Sequence, residues 1–86
     1  MGKITNLYDI HSNEYVGQLF LIDEQNQRYN YINKTNQSIG YAVTNGNNVI
    51  VRNHSNQDLF MGQFNGNRIN LRNLKGEFVL YGMRLN

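Results

Sequence analysis

The sequence predicts an all-β domain made of four β-hairpin repeats. One polar turn recurs four times, with Asn13, Asn36, Asn56 and Gly76 as its third residue, at a period of about 20 residues. The stretches on both sides of each turn alternate apolar and polar residues, which is the period of a strand and not of a helix. We therefore expect the chain, residues 1–86, to form a single β-hairpin-repeat domain.

The eight predicted strands form an antiparallel meander. Period-two alternation places aligned residues on one face, and we expect the inward face to carry the large ones, including Tyr8, Phe20, Tyr41 and Tyr81. Before the turns the aligned pairs are Tyr29-x-Tyr31, Val49-x-Val51 and Ile69-x-Leu71. After the turns Val16, Ile39, Leu59 and Val79 share one position. The strands are predicted at residues 4–10, 15–22, 28–33, 38–44, 48–53, 58–64, 68–72 and 78–85.

The turn residues indicate how the strands are joined. Asn or Gly at the third position of each repeat turn predicts a residue with positive φ. The segments 45–47 and 65–67 both read Asn-Gly-Asn and predict hairpins between repeats. A three-residue loop at 45–47 would pair Val43 with Val49 and Tyr41 with Val51, which collects large residues on one face.

A flat eight-stranded meander would expose two strand edges and one apolar face. The sequence therefore favours a small closed barrel or a sandwich, with pairing of sheets between subunits as a further solution. Glycines in the second strand of each repeat favour sheet curvature over a ligand site. They are Gly17, Gly40, Gly62 and Gly82.

Composition limits the function classes. The net charge is +2, only 16% of residues are charged and cysteine is absent, so disulfides and thiolate metal sites are excluded. Sparse basic residues argue against a dedicated nucleic-acid protein. The small size favours a homo-oligomer. We expect a cytoplasmic protein without a membrane segment, because no apolar run reaches spanning length.

Catalytic and metal-binding patterns are scarce, so we predict no enzyme, no metal and no cofactor. His11 and His54 occupy the same place in two repeat turns, where adjacent serines point away from the imidazoles. Glu14 and Glu77 end their turns at a position where Gln37 and Gln57 end theirs, which indicates hydrogen bonding and not proton transfer. No phosphate-cradling motif is present.

The most site-like segment of the chain is Arg28-Tyr29-Asn30-Tyr31. Tyrosines here are explained either as core residues or as a binding surface, because Tyr offers a large contact area with a polar tip. The full candidate binding set is Arg28, Tyr29, Asn30, Tyr31, Tyr41, Arg52 and Tyr81.

These observations predict a non-enzymatic binding protein with a protein partner. Small size and sixteen Asn residues fit an accessory or inhibitor protein of AT-rich bacteria or their phages, which would occlude its partner through a sheet face or a strand edge. One alternative is a module that sequesters a polar small molecule or sugar in a Tyr/Asn-lined pocket. Another is a single-stranded nucleic-acid binder. It would use Arg28, Tyr29, Tyr31, Arg52, Arg68 and Arg72.

Overall fold

The structure, a computed structural model, describes residues 3–85, and it is all-β as predicted. Each strand pairs antiparallel with its neighbours in the chain, and the first strand also pairs with the last. The meander therefore closes into a barrel, which decides between the barrel and the sandwich. The strands are β1 (Ile4–Asp9), β2 (Tyr15–Asp23), β3 (Arg28–Asn33), β4 (Ser38–Asn45), β5 (Asn48–Asn53), β6 (Asp58–Asn65), β7 (Arg68–Arg72) and β8 (Phe78–Leu85).

The four repeat turns have the backbone conformation that their sequence predicts. Asn13, Asn36, Asn56 and Gly76 have φ values of 60°, 65°, 64° and 84°. This is the left-handed region, which Asn and Gly tolerate better than other residues. The recurrence of these residues in the sequence therefore reflects a left-handed backbone position that all four turns share.

Three of these turns are held by an asparagine that the sequence analysis did not single out. Oδ1 of Asn53 accepts hydrogen bonds from the backbone N–H groups of Ser55 (2.9 Å) and Gln57 (3.0 Å), and Nδ2 donates to Oε1 of Gln57 (2.9 Å). Asn33 and Asn73 make the corresponding bonds. The Gln or Glu that ends each of these turns is thus a hydrogen-bond partner, as its interchange predicts.

The first turn is longer by one residue. The N–H of Asn13 donates to the carbonyl of Asp9, four residues back, whereas the N–H of Asn56 donates to that of Asn53, three residues back. Oδ1 of Asp9 accepts the N–H groups of residues 11 and 12. These backbone hydrogen bonds lower the pKa of Asp9. The extra residue moves Leu7, and not the predicted Tyr8, into the inward position of β1.

The inward face of the strands that follow the turns is not the predicted one. In β4 the residue Ile39 is skipped in the pairing with β3, which makes a β-bulge. The bulge shifts the alternation by one, so Gly40 and Ala42 are buried inside and Tyr41 lies outside. Tyr81 lies outside for the same reason. The equivalent skipped residues in β2, β6 and β8 are Val16, Leu59 and Val79.

The predicted register between β4 and β5 is also wrong. Val49 pairs with Thr44 and not with Val43, so the whole ladder is displaced by one residue and Tyr41 does not face Val51. The reason is that the turn has two residues, 46 and 47, and not three, so Asn45 pairs with Asn48. Two-residue hairpin turns require positive φ, and the glycine between these asparagines has a φ of 63°.

Side chains fill the barrel, and glycines allow its strands to approach closely. Tyr31 lies opposite Gly40, so a large residue occupies the space that a small one leaves. A Cβ added at Gly40 would lie closer than 3.0 Å to the carbonyl oxygen of Arg52, and one at Gly62 would meet that of Asn70 in the same way. The core residues are Leu7, Leu19, Tyr29, Tyr31, Ala42, Val49, Val51, Phe64, Ile69, Leu71 and Leu80.

Candidate functional site

Two residues of the predicted site, Tyr29 and Tyr31, belong to the core. Their side chains are 2% and 6% exposed, and the Tyr31 ring makes an edge-on contact with Phe60 at 6.4 Å between centroids. Burial raises the pKa of the Tyr31 phenol. Of the two explanations that the sequence gives for these tyrosines, the structure supports the core and not the binding surface, because both rings are buried in the closed barrel.

Arg28 and Tyr41 of the predicted site meet on the outer wall of β3 and β4. The guanidinium carbon of Arg28 lies 4.9 Å from the centroid of the Tyr41 ring, within the range of a cation–π contact. The hydroxyl of Tyr41 donates to Oδ1 of Asn56 at 2.5 Å. This hydrogen bond fixes the turn between β5 and β6 against β4.

Asn30 and Arg52 lie on the same wall and are also engaged with neighbours. Asn30 accepts a hydrogen bond from the Ser38 hydroxyl at 2.7 Å. Nε of Arg52 donates to Oδ1 of Asp58 at 2.7 Å, and this hydrogen bond raises the pKa of Arg52. The structure therefore brings four predicted site residues together on one wall: Arg28, Asn30, Tyr41 and Arg52. Each of them already contacts another residue of the barrel.

Tyr81 lies apart from the other predicted site residues, on the outside of β8. Its ring stacks on Tyr8 of β1, with 5.4 Å between centroids and 24° between planes. Tyr15 meets Tyr8 edge-on at 5.9 Å. The hydroxyl of Tyr81 donates to Oδ1 of Asn13 at 2.9 Å. Tyr81 thus belongs to a three-tyrosine cluster that spans the closure of the barrel.

The geometry of His54 agrees with a structural role. Nε2 of His54 lies 3.2 Å from the carbonyl oxygen of Ser38 and 3.4 Å from its hydroxyl, so the imidazole joins the turn to the neighbouring strand β4. Among residues 3–85, no three His, Asp or Glu side chains are placed to hold a metal ion. The same part of the chain contains no helix long and apolar enough to cross a membrane.

The outer wall of β8, β1 and β2 is an apolar surface that the sequence analysis missed. Across these three strands, Ile4 lies between Phe20 and Leu85, and Tyr8 lies between Tyr15 and Tyr81. The exposed fractions are 61% for Ile22, 49% for Leu85, 45% for Met83 and 39% for Tyr15. We call this surface the apolar face. It consists of Ile4, Tyr8, Tyr15, Phe20, Ile22, Tyr81, Met83 and Leu85.

Regular alternation from the turns predicts Phe20 and Tyr81 on the inward face. The bulges at Val16 and Val79 shift the alternation by one residue, so both rings lie on the outside. The small residue that points inward identifies the outward neighbours: Gly82 is buried, so Tyr81 and Met83 on either side of it face out. The remaining outward positions of β1 and β2, Asn6 and Gln18, are uncharged.

Two shallow grooves adjoin each other on the outside of β6, β7 and β8. The larger has a volume of about 330 Å³ and is lined by Gln63, Asn65, Asn70, Arg72 and Phe78 along with the backbone of Gly62. The smaller, of about 200 Å³, is lined by Ile10, Arg68, Ile69, Asn70, Tyr81 and Gly82. Asn70 borders both grooves, so they form one continuous surface.

Comparison of the chain with protein-family models, with curated proteins and with solved structures gave no match.

Proposed function

We propose that the protein is a non-enzymatic binding module that occludes the working surface of a partner protein through its apolar face. The observation that supports this proposal is the exposure of Ile22 on β2 and of Met83 and Leu85 on β8, the two strands that flank β1, with the uncharged residues Asn6 and Gln18 at the other outward positions of β1 and β2. Exposed apolar patches that are contiguous and not scattered are typical of interaction sites.

The composition of the apolar face also favours a protein partner. Tyrosine and methionine are enriched at the centres of protein interfaces, and charged residues are depleted there. Tyr8 is held between Tyr15 and Tyr81. Little rotamer freedom is therefore left to lose when this part of the face is covered, which lowers the entropic cost of binding.

The architecture narrows the alternatives from the sequence. A strand edge is not available within residues 3–85, because β1 pairs with both β2 and β8, so binding by strand addition is excluded for the closed barrel. A pocket lined by Tyr29 or Tyr31 is excluded as well, because both fill the core. Occlusion of a partner through an outer wall is compatible with the closed barrel.

A matched pair of substitutions tests the proposal. Ile22 and Leu74 are the most exposed large apolar residues, at 61% and 67%, but only Ile22 belongs to the apolar face, since Leu74 lies in the turn after β7. Tagged wild type, Ile22→Asp and Leu74→Asp would be cross-linked in a lysate of the source cells and the captured proteins identified by mass spectrometry. Circular dichroism would verify that all three are folded.

We expect one protein to be captured by the wild type and by Leu74→Asp but not by Ile22→Asp. Equal capture by all three proteins would refute the apolar face as the binding surface. Sedimentation of the purified chain tests whether the apolar face binds a second copy of this chain. A dimer that Ile22→Asp converts to a monomer would identify that copy as the partner. That result would replace the occlusion mechanism by self-association.

A further inference from the structure

We propose that the joined grooves on the outer wall of β6, β7 and β8 bind single-stranded nucleic acid. This surface is separate from the one that carries the proposed function, apart from Tyr81 at its border. The argument begins with composition: each groove contains one arginine and one aromatic ring, Arg72 with Phe78 and Arg68 with Tyr81. A repeated pairing of cation and ring suits a polymer that repeats anion and base.

Strand β7 sets the spacing of these groups. Arg68, Asn70 and Arg72 occupy alternate positions, and all three are exposed on the outside of the barrel. At about 3.3 Å per residue, the two arginines are roughly 13 Å apart along the strand. Asn70 lies between them, and its carboxamide makes no hydrogen bond to another described residue. It is therefore free to donate to and accept from a base edge.

The arginines of the grooves are available to bind an anion. Within residues 3–85 the sole ion pair is the one between Arg52 and Asp58, on a different part of the wall. Glu77 is the acid nearest to Arg72 in the chain, and its Oε1 already accepts a hydrogen bond from Asn73 within the turn. The carboxylate of Glu77 is thus engaged within the turn and forms no ion pair with Arg72.

The exposed ring of Phe78 distinguishes this site from a general anion site. Phe78 is 52% exposed, and the Arg72 guanidinium carbon lies 5.9 Å from its centroid. A flat base can stack on an exposed aromatic ring while a neighbouring guanidinium contacts the phosphate. A sugar ligand would use the ring and the amides of Gln63 and Asn65, but it would leave two unpaired arginines without a role.

The test is fluorescence anisotropy of a labelled oligothymidylate of 12 nucleotides, titrated with the full chain at several salt concentrations. Two phosphate contacts predict a slope of about −1.4 in log K against log salt, since each contact to a single strand contributes roughly −0.7. Arg72→Ala should weaken binding and reduce the slope by about 0.7. Phe78→Ala should weaken binding about 5- to 150-fold and leave the slope unchanged, because stacking releases no counterions.

Lys34→Ala is the control, since Lys34 is an exposed cation in the turn between β3 and β4 and does not line either groove. We expect it to bind like the wild type. The proposal is overturned if the oligothymidylate does not bind at low salt, if Phe78→Ala binds like the wild type, or if dextran sulfate competes as well as unlabelled oligothymidylate. The last two results would identify general polyanion binding. Since none of these variants alters the apolar face, loss of oligonucleotide binding is distinguishable from loss of the protein partner.

Discussion

Replacement of Gly40 by alanine is a sensitive test of the barrel geometry, because two effects of opposite sign compete. An alanine in place of glycine restricts the unfolded chain and by itself stabilises a protein by about 0.4–1 kcal/mol where the native backbone accepts it. At Gly40, however, the new Cβ would lie closer than 3.0 Å to the carbonyl oxygen of Arg52 and next to the Cα of Asn53. Both obstacles are backbone atoms of β5, which cannot turn away as a side chain can.

The magnitude follows from the two terms. Overpacking of a filled core costs about 1–3 kcal/mol, so the net destabilisation is about 1.3 kcal/mol when the middle of the unfolded-state gain is subtracted from the middle of this cost. For a domain of this size, 1 kcal/mol corresponds to about 4–8 °C in Tm. We therefore expect Gly40→Ala to lower Tm by roughly 5–10 °C, measured by far-ultraviolet circular dichroism.

Ala42→Gly provides the comparison within the same strand. Ala42 is the next inward residue of β4 and is fully buried, and its replacement by glycine costs about 0.5–1 kcal/mol without displacing any backbone. If Gly40→Ala unfolds at the same temperature as the wild type or above it, the contact between β4 and β5 is looser than described. The explanation of the strand glycines by close backbone approach would then be wrong.

Three further predictions concern turns and titration. Asn53→Ala loses two hydrogen bonds to backbone N–H groups and should be less stable than Asn53→Asp, which keeps the acceptor, by about 1–3 kcal/mol in urea denaturation at pH 7; equal stabilities would contradict this. Because the pKa of Asp9 is lowered in the fold, its contribution is present above the unfolded value near 4 and is lost as pH falls through the folded one. Asp9→Asn should therefore lose less Tm between pH 5 and pH 2.5 than the wild type, and an unchanged loss would refute the role of Asp9. Because burial raises the pKa of Tyr31, its phenol favours the fold below pH 10 and loses that contribution above it; Tyr31→Phe should flatten the fall in Tm from pH 9 to pH 11, and a curve parallel to the wild type would count against it.

The strands and turns could be predicted because their signals are local. A left-handed residue in a turn is restricted to a few residue types. The turns can therefore be predicted from the residues at this position alone, which are Asn13, Asn36, Asn56 and Gly76. Alternation within each strand then fixes the length of the strand. The sequence left a closed barrel and a sandwich as alternatives. It could not decide between them, because the pairing of β1 with β8 depends on curvature that accumulates over the whole chain.

The inward face could not be predicted because it depends on a single residue per hairpin. A bulge changes the parity of the strand but leaves no composition of its own, and Ile39 looks like any other strand residue. The error was reinforced because both faces of the barrel carry large apolar side chains. The burial of Ala42 and the outward position of Tyr41 reverse what the sizes of the two side chains suggest.

Part of the candidate site could be predicted, because alternation within a strand determines which residues share a face. Arg28, Asn30, Tyr41 and Arg52 do share one wall, because alternate residues of β3 and their partners in β4 and β5 must face one way. The two tyrosines between them in sequence had to face the other way. Exposure of the apolar face depends on barrel closure, which no single repeat determines, and on the bulges, which leave no composition of their own.

The seam between β1 and β8 has a consequence for how the molecule assembles. Every other pairing joins strands that are neighbours in the chain, so each hairpin closes a short loop, whereas the Ile4–Leu85 pairing closes almost the entire chain. Loop-closure entropy grows with loop length, and non-local contacts slow folding. We expect the seam to form last, after the hairpins have curved the sheet.

Until that step the free edges of β1 and β8 face solvent. At high concentration, β8 of one molecule can pair with β1 of another before it meets its own. The same residues then make the same contacts between chains, and the product is a swapped dimer or a longer chain of molecules. Dilute refolding should therefore give the closed monomer, and concentrated refolding should trap assemblies that exchange only when the seam reopens.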